Sequence, residues 1–360
     1  MADPVAIVGG GPAGMAMALA LHRQGVAAQV FDARARAAAT NDARVLALGH
    51  GARQILEWLG VWQAVPTTPI TTIHVSQHNG LGITRLRAED EGVPALGYVL
   101  AAGGLAARLD AALAEAAIPF HDHCRIDGHR PPPAPLTIWA EGAVETDAAV
   151  TRDYGQQAVI CHARSKEAHG GRAWERFTPQ GPVAVLPFGQ DLAVVLTCAA
   201  DDAQAIAAEP DDRFIDRLQH RFGARLRFTA VGARHVFPLG LRYRRQAVGA
   251  RQVWIGNAAQ TLHPVGGQGF NLALRDIHDL ARCLSDAVDP GAPETLARYA
   301  RLRHLDRRAT IGFTDLLVRL FSNDNPLLRH ARGAGLLALD LAAPARSFVA
   351  RRMMFGARAW

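Results

Sequence analysis

Three glycines, Gly9, Gly11 and Gly14, offer the first chemistry in this chain. They follow the apolar run Pro4-Val-Ala-Ile-Val8 and open an Ala/Met/Leu-rich stretch over residues 15–24. In a strand, turn, helix unit the first glycine permits the tight turn and the second lets the backbone approach a pyrophosphate. The third lets the helix pack close to the strand, and the helix N-terminus attracts the phosphates. Pro12 and Ala13 complete the predicted cradle. Asp32 closes the next apolar run, residues 26–31, at the spacing of a carboxylate that binds ribose hydroxyls. An acid there favours an adenosine with a free 2′-OH, so NAD or FAD over NADP.

A second glycine-rich turn lies far along the chain, in Trp254-Ile-Gly-Asn-Ala-Ala-Gln-Thr-Leu-His-Pro-Val-Gly-Gly-Gln-Gly-Phe-Asn271. A strand leads through Gly256 and Asn257 to Pro264, and Gly266, Gly267, Gln268 and Gly269 lead through Asn271 into a long helix. Bare backbone amides at a positive helix end suit an anionic group.

This segment closely resembles the Gly-Asp-Ala-Ala-His…Pro-x-x-Gly-Gln-Gly-x-Asn stretch of class A flavin monooxygenases. It is most similar to the ubiquinone-biosynthesis hydroxylases, which oxidise polyprenylated phenols. Asn41-Asp-Ala-Arg44, Ala95-Leu-Gly-Tyr-Val99, Asp153-Tyr-Gly-Gln156, His169-Gly-Gly-Arg-Ala-Trp174 and Leu320-Phe-Ser-Asn323 extend the resemblance through most of the chain. It implies bound FAD, with Gly256 and Asn257 at the ribitol and pyrophosphate and the 264–271 loop along the isoalloxazine. Arg44 matches an arginine near the flavin and the active-site entrance, although a lone loop arginine could equally be a solvated charge. Arg108, after Gly103-Gly104, matches another FAD-contacting position. The implied reaction reduces FAD with NAD(P)H, forms a C4a-hydroperoxide with O₂ and delivers oxygen to an electron-rich phenol. The flavin carries that chemistry, so few obligatory acid or base side chains are expected. With a single dinucleotide fingerprint, NAD(P)H is expected to bind transiently in a groove.

The chain departs from the family in three places. Asn257 stands where the family has aspartate, which removes a charge but keeps a hydrogen-bonding side chain of that shape. Gln260 replaces a histidine. The family's Gly-Ala-Asp-Gly…Ser…Arg segment is expected between the strand near Leu136 to Trp139 and Asp153-Tyr154, yet the chain there is short, as though a core strand and turn were deleted. That predicts a lost wall of the FAD site, and it opens a second reading, a non-catalytic family member serving as a lipid-binding or complex-assembly subunit.

The elements that must position these residues predict an α/β fold: a Rossmann-like FAD-binding domain of the glutathione-reductase type, interleaved with a β-sheet substrate domain and a C-terminal helical region. The expected pieces are FAD-binding segments 1–70, 101–152 (shortened) and 246–300, a substrate-domain insertion 71–100, a substrate domain 153–245 and a helical region 301–360. Helices are expected over 51–59, 105–117 and 270–287, and a strand over 119–126.

A chain of 360 residues can bury a large core. The net charge of +6 comes almost wholly from arginine, Lys166 being the single lysine, and carries little weight as a sign of nucleic acid, which is not expected as a partner. Four dispersed cysteines form no CxxC pair and read as reduced thiols. His121-Asp-His-Cys124 reads as an ordinary strand, and no metal is expected. No apolar run reaches the ~20 residues of a membrane span and no signal peptide opens the chain, which points to the cytoplasm. The tail from Pro326 to Trp360 mixes apolar stretches with arginines at 329, 332, 346, 351, 352 and 358. It could lie on the inner face of an anionic membrane, or pack on the body with a solvated basic face.

Overall fold

The computed structural model describes residues 3–78, 80, 82–127, 131–142, 144, 149–321 and 326–358, with backbone alone at 326–329 and 358. Ser322 and Asn323, and the side chains of Arg329 and Arg358, lie outside the described residues. Its helices are α1 (Pro12–Arg23), α2 (His50–Trp58), α3 (Ala102–Glu115), α4 (Ala203–Ala207), α5 (Asp211–Phe222), α6 (Gln268–Ser285), α7 (Pro293–Phe321), α8 (Pro326–Leu341) and α9 (Ala343–Phe355).

Val5–Val8 is apolar at every position and buried at every position, the pattern of a central strand covered on both faces. It pairs in parallel with Ala28–Phe31 on one side and Thr137–Trp139 on the other. Phe120–His121 and Gln252–Trp254 extend the parallel order outward, and Val248–Gly249 adds an antiparallel edge. Helices α1, α3 and α6 pack together with this sheet, burying Met15, Met17, Leu105, Leu109, Leu274 and Ile277 in one core.

The second layer is a largely antiparallel nine-stranded sheet whose longest member, Ala149–Ser165, bends at an irregularity between Asp153 and Gln157. Its outer face is covered by α5, where Phe214, Leu218 and Phe222 meet Trp174, Val185 and Leu196. Thr72–Gln77 and Ile83–Arg87 belong to this sheet, whereas Gly97–Ala101 pairs with Val45–Gly49 and Thr68–Ile70 in a separate three-stranded ribbon.

The expected deletion of a core strand is overturned. Thr137–Trp139 is itself the strand beside the glycine turn, wedged between Val5–Val8 and Gln252–Trp254. Ile7, Ile138 and Val253 are fully buried across that junction, each contributing about 1.5–3 kcal/mol. Ala140 N–H donates to Val8 O at 2.7 Å, and Ala140, Glu141 and Gly142 line the cleft beside the glycine turn. The strand expected over 119–126 is two residues long, Phe120–His121, and His123, at φ 51°, has left the extended conformation.

The C-terminal region packs on the body. The Thr84 hydroxyl donates to Leu336 O at 2.6 Å, and a Cβ on Gly82 would lie 2.2 Å from Gly333 O, so α8 rides directly on the sheet edge. Arg332 donates to Leu320 O at 2.7 Å, and Arg346 and Arg351 reach Asp90 and Glu91. Among the described residues, no single helix is long and apolar enough to cross a membrane.

Helices α6 and α7 are joined by buried ions. Arg303 donates to Asp276 at 2.7 Å, Asp279 at 3.0 Å and Asp306 at 2.7 Å, and Arg275 donates to Asp306 at 2.8 Å. Burial alone would raise the Asp306 pKa, but Arg275 and Arg303 outweigh it and hold the carboxyl below its ordinary value. Its stabilising contribution is therefore complete above the ordinary carboxyl range and lost as pH falls through the depressed pKa. Asp306→Ala leaves two buried guanidiniums without their shared partner. The expected cost is about 3–5 kcal/mol, measured as a lowered urea midpoint at pH 7, with the gap between variant and parent narrowing in acid.

Candidate active site

One cleft of about 1450 Å³ runs between the two sheets, larger than the ~300–1,000 Å³ of most small-molecule sites. At one end it is lined by Gly9, Gly11, Pro12, Ala13, Asp32, Arg44, Gly256, Asn257, Pro264, Gly266, Gly267 and Gly269. Glycine turns 240 residues apart in the chain thus meet on one wall.

The reason each glycine is glycine differs. Gly9 has φ 113°, and a Cβ there would stand 2.7 Å from the Ala140 carbonyl carbon. A Cβ on Gly14 would stand 1.8 Å from Gly9 O, so its absence lets α1 close on the strand. Gly11 has an ordinary extended backbone, φ −77° and ψ 178°, and a Cβ on it would meet no protein atom within 4 Å. Protein packing therefore gives no reason for glycine at this position, whereas a pyrophosphate drawn against the backbone does. Gly11 and Gly267 are the N-caps of α1 and α6, neither carries a side-chain cap, and both line the cleft. The first amides of both helices are left for an anion.

Asp32 is 6% exposed and accepts hydrogen bonds from Gly10 N at 2.6 Å and Arg34 N at 2.7 Å. Burial would raise its pKa, but the Arg34 and Gly10 bonds outweigh that and hold the carboxyl below its usual value. Arg34 also forks onto it at 3.0 and 3.1 Å, so a ribose would share the carboxylate with a half-exposed guanidinium. Arg44 is held on Asp42 at 2.5 Å and lies 5.8 Å from the Phe237 ring centroid, between the polar end of the cleft and the large sheet. Asn257 is exposed on the cleft wall, with no hydrogen bond to the protein among the described residues.

Four of the expected site residues do not line the cleft. Gly14 packs inside α1. Arg108 turns along α3 to Glu115 at 2.7 Å. Gln268 donates to Gly266 O and Met353 O, both at 3.2 Å. Asn271, 2% exposed, donates to Gly267 O at 2.6 Å and Ala47 O at 3.0 Å and accepts from Gly49 N at 2.7 Å. These two amides hold the glycine loop in shape from behind. Gln260 likewise works behind the wall: it accepts from Arg307 Nε at 2.7 Å and donates to Asp276 at 2.8 Å, joining a cation and an anion through one neutral amide.

Sequence reasoning passed over two cleft residues. His263 is fully buried, and burial drops its pKa to about 4. Its Nδ1 accepts from Val265 N at 3.2 Å, which puts the ring proton on Nε2, and that atom has no partner in the protein. Glu175, from Arg172–Phe177, stands on the sheet wall of the cleft with one carboxylate oxygen buried and unpartnered. The signal for His263 was its place three residues before the first loop glycine.

Beyond this polar end the lining is apolar, with Ile73, Val75, Leu86, Ile160, Leu186 and Val195 from the sheet and Phe313, Leu317, Leu336 and Leu339 from α7 and α8.

The FAD binding domain family matches residues 3–117 and 127–314. Ubiquinone hydroxylase UbiL of Rhodospirillum rubrum is 33% identical over 98% of this chain and 90% of its own length. The chain belongs to the class A FAD-dependent monooxygenases of the ubiquinone-hydroxylase family. The 3-demethoxyubiquinol 3-hydroxylase of Escherichia coli is 30% identical to this monooxygenase over 94% of the chain and 95% of its own. The fold is that of p-nitrophenol 4-monooxygenase PnpA from Pseudomonas putida DLL-E4, with a TM-score of 0.79 over 99% of both chains at 17% identity. The family match breaks at 118–126, between Glu115 at the end of α3 and Thr137–Trp139.

The contrast between Gly11 and Gly14 is testable. Gly11→Ala is expected to fold with unchanged stability yet lose FAD affinity about tenfold or more, ~1.4 kcal/mol, read by flavin titration of the apoprotein. Gly14→Ala is expected to lower the unfolding midpoint before cofactor is considered.

Proposed function

We propose that this monooxygenase hydroxylates the ring of a phenol carrying a long apolar chain, in ubiquinone biosynthesis, with NAD(P)H as transient electron donor and O₂ as oxidant. The observation that carries the reading is the two-part cleft: a glycine-walled end between two uncapped helix N-termini, continuous with an apolar chamber far larger than a bare phenol needs. Gly9, Gly11, Pro12, Ala13 and Asp32 would hold the adenosine and pyrophosphate of FAD. Gly256 and Asn257 would hold the ribityl chain, and Pro264, Gly266, Gly267 and Gly269 the ring. Bound there, FAD supplies activation of O₂ with electrons drawn from the nicotinamide. The protein's share is positional. The α6 N-terminus offers amides to negative charge on the ring, His263 keeps a neutral N–H donor in the cleft at any pH above about 4, and the apolar walls exclude water.

The names of the relatives, a ubiquinone hydroxylase and a 3-demethoxyubiquinol 3-hydroxylase, support a quinone-precursor substrate. The reading of a non-catalytic subunit rested on a missing strand, and Thr137–Trp139 removes that ground. We also infer contact with the lipid surface where such a substrate resides. It is supported by Leu337, Leu341 and Phe348, which are 49%, 77% and 50% exposed on α8 and α9. Arg332, Arg346 and Arg351 are engaged within the protein, so the attraction is apolar rather than ionic.

The purified protein is expected to carry about one FAD per chain and to oxidise NAD(P)H faster when an alkylated phenol is added, with oxygen recovered in the ring; a colourless protein that stays empty in excess FAD overturns the reading. Co-sedimentation with neutral phosphatidylcholine vesicles is expected to persist in high salt and to fall on Leu341→Asp, whereas binding that needs anionic lipid and disappears with salt contradicts the apolar contact.

A further inference from the structure

Glu175 lies in the middle of the sheet wall that faces the apolar chamber. Its strand neighbours in register are Val75 on one side and Ala184 on the other, followed by Val195 and Ile160. Ala173 and Phe177 flank it on the same face of its own strand. Among the described residues it is the carboxylate that this sheet presents to the cleft; the other acids on the lining, Asp32, Asp42 and Glu141, belong to the polar end. Such a group is expensive unless it has a partner, and its Oε1 has none in the protein.

Its partial exposure is to the chamber, and burial alone pushes its pKa up to about 7. Arg332 on α8, His162 and His235 on strands farther across the same sheet and His263 on the flavin-side loop also line the cleft. None of them is hydrogen-bonded to the buried Oε1 of Glu175. Phe177, two residues or about 7 Å along the strand, stacks on Phe321 with ring centroids 3.8 Å apart and shares a cluster with Val265, beside Pro264 and Gly266. The carboxylate and the loop that would bear the isoalloxazine thus line the same cleft, with the Phe177 cluster beside them.

We infer that Glu175 is the substrate-hydroxyl acceptor of this enzyme: its carboxylate takes the hydrogen bond of a phenolic O–H and fixes which edge of the ring faces the flavin loop. The inference deepens the hydroxylase reading and rests on it. A phenol supplies the missing donor, and its electron-rich ring gains density as its hydroxyl hydrogen is drawn to the carboxylate. An aromatic without a free hydroxyl would leave Glu175 buried and unmatched, so the same residue selects against it.

The test compares 4-heptylphenol with its methyl ether, 4-heptylanisole, titrated into the FAD-loaded enzyme and followed by the change in flavin absorbance. The parent is expected to bind the phenol about 10–100-fold more tightly than the ether at pH 8, and this preference falls as pH drops through about 7 and the carboxyl protonates. Glu175→Leu is expected to bind the two alike, with full FAD content and a raised unfolding midpoint, since it removes an unmatched buried acid. Glu175→Gln keeps a reduced preference that no longer varies with pH. A parent without preference, or a Glu175→Leu enzyme that retains it, overturns the inference. Should the protein take up no flavin, the hydroxylase reading fails separately, and the same titrations followed by the fluorescence of the adjacent Trp174 still decide the role of Glu175.

Discussion

Arg303 touches three carboxylates, and the geometry of the flavin end depends on where this fixes α6. Asp276 and Asp279 lie on α6 itself, and Asp306 carries the tie on to Arg275 of the same helix. A helix held only by apolar contacts can slide and rotate at modest cost. One whose charges are buried against specific partners cannot, because each displaced ion is left buried without the partner that compensates its lost solvation. The N-terminus of α6 is thereby set at the cleft, and Gly266 and Gly267, both at positive φ, need no further support than the amides of Gln268 and Asn271. Gln260 joins the same network through Arg307, so the segment entering the loop is tied to the helix leaving it.

The cleft above this platform divides its labour by polarity. Backbone amides and glycines serve the end where charge is expected, and side chains that offer little but shape serve the other. Two polar groups interrupt the apolar part, one a neutral donor at His263 and the other an acid at Glu175. Both line the same cleft, one from the loop and the other from the sheet.

Local grammar made part of this legible in the sequence. The glycine turn after Val5–Val8, the acid at its expected spacing and the loop opening α6 were readable because turns of that kind demand particular residues at particular offsets. The strand near 136–139 was legible but its central place was not, because three residues after a proline-rich stretch carry too little periodicity to announce it; its neighbours in the sheet, more than a hundred residues away on either side, define it. Arg303 and Asp306 sit in an arginine-rich run that looks solvated, and partners about thirty residues upstream bury them. Glu175 alternates with arginines at 172 and 176 in a strand that reads as half exposed, and only the roof of α7 and α8 turns its surroundings dry. The basic tail shows the same lesson, since Arg332, Arg346, Arg351 and Arg352 find acids and a carbonyl on the body.

That roof has a consequence for the order in which the enzyme comes into being. The chamber's floor is complete once the strands up to residue 244 have formed, but its cover comes from α7, α8 and α9, with Leu336 fastened to Thr84 and Met353 lying over Gly266. During synthesis, which proceeds from the N-terminus, the growing polypeptide exposes an apolar trough for as long as the ribosome takes to deliver the last hundred residues. The half-made protein can neither enclose a greasy guest nor shield one from water, so catalytic competence arrives in a single late step, and a nascent chain is at its most vulnerable to chaperone capture or aggregation just before it.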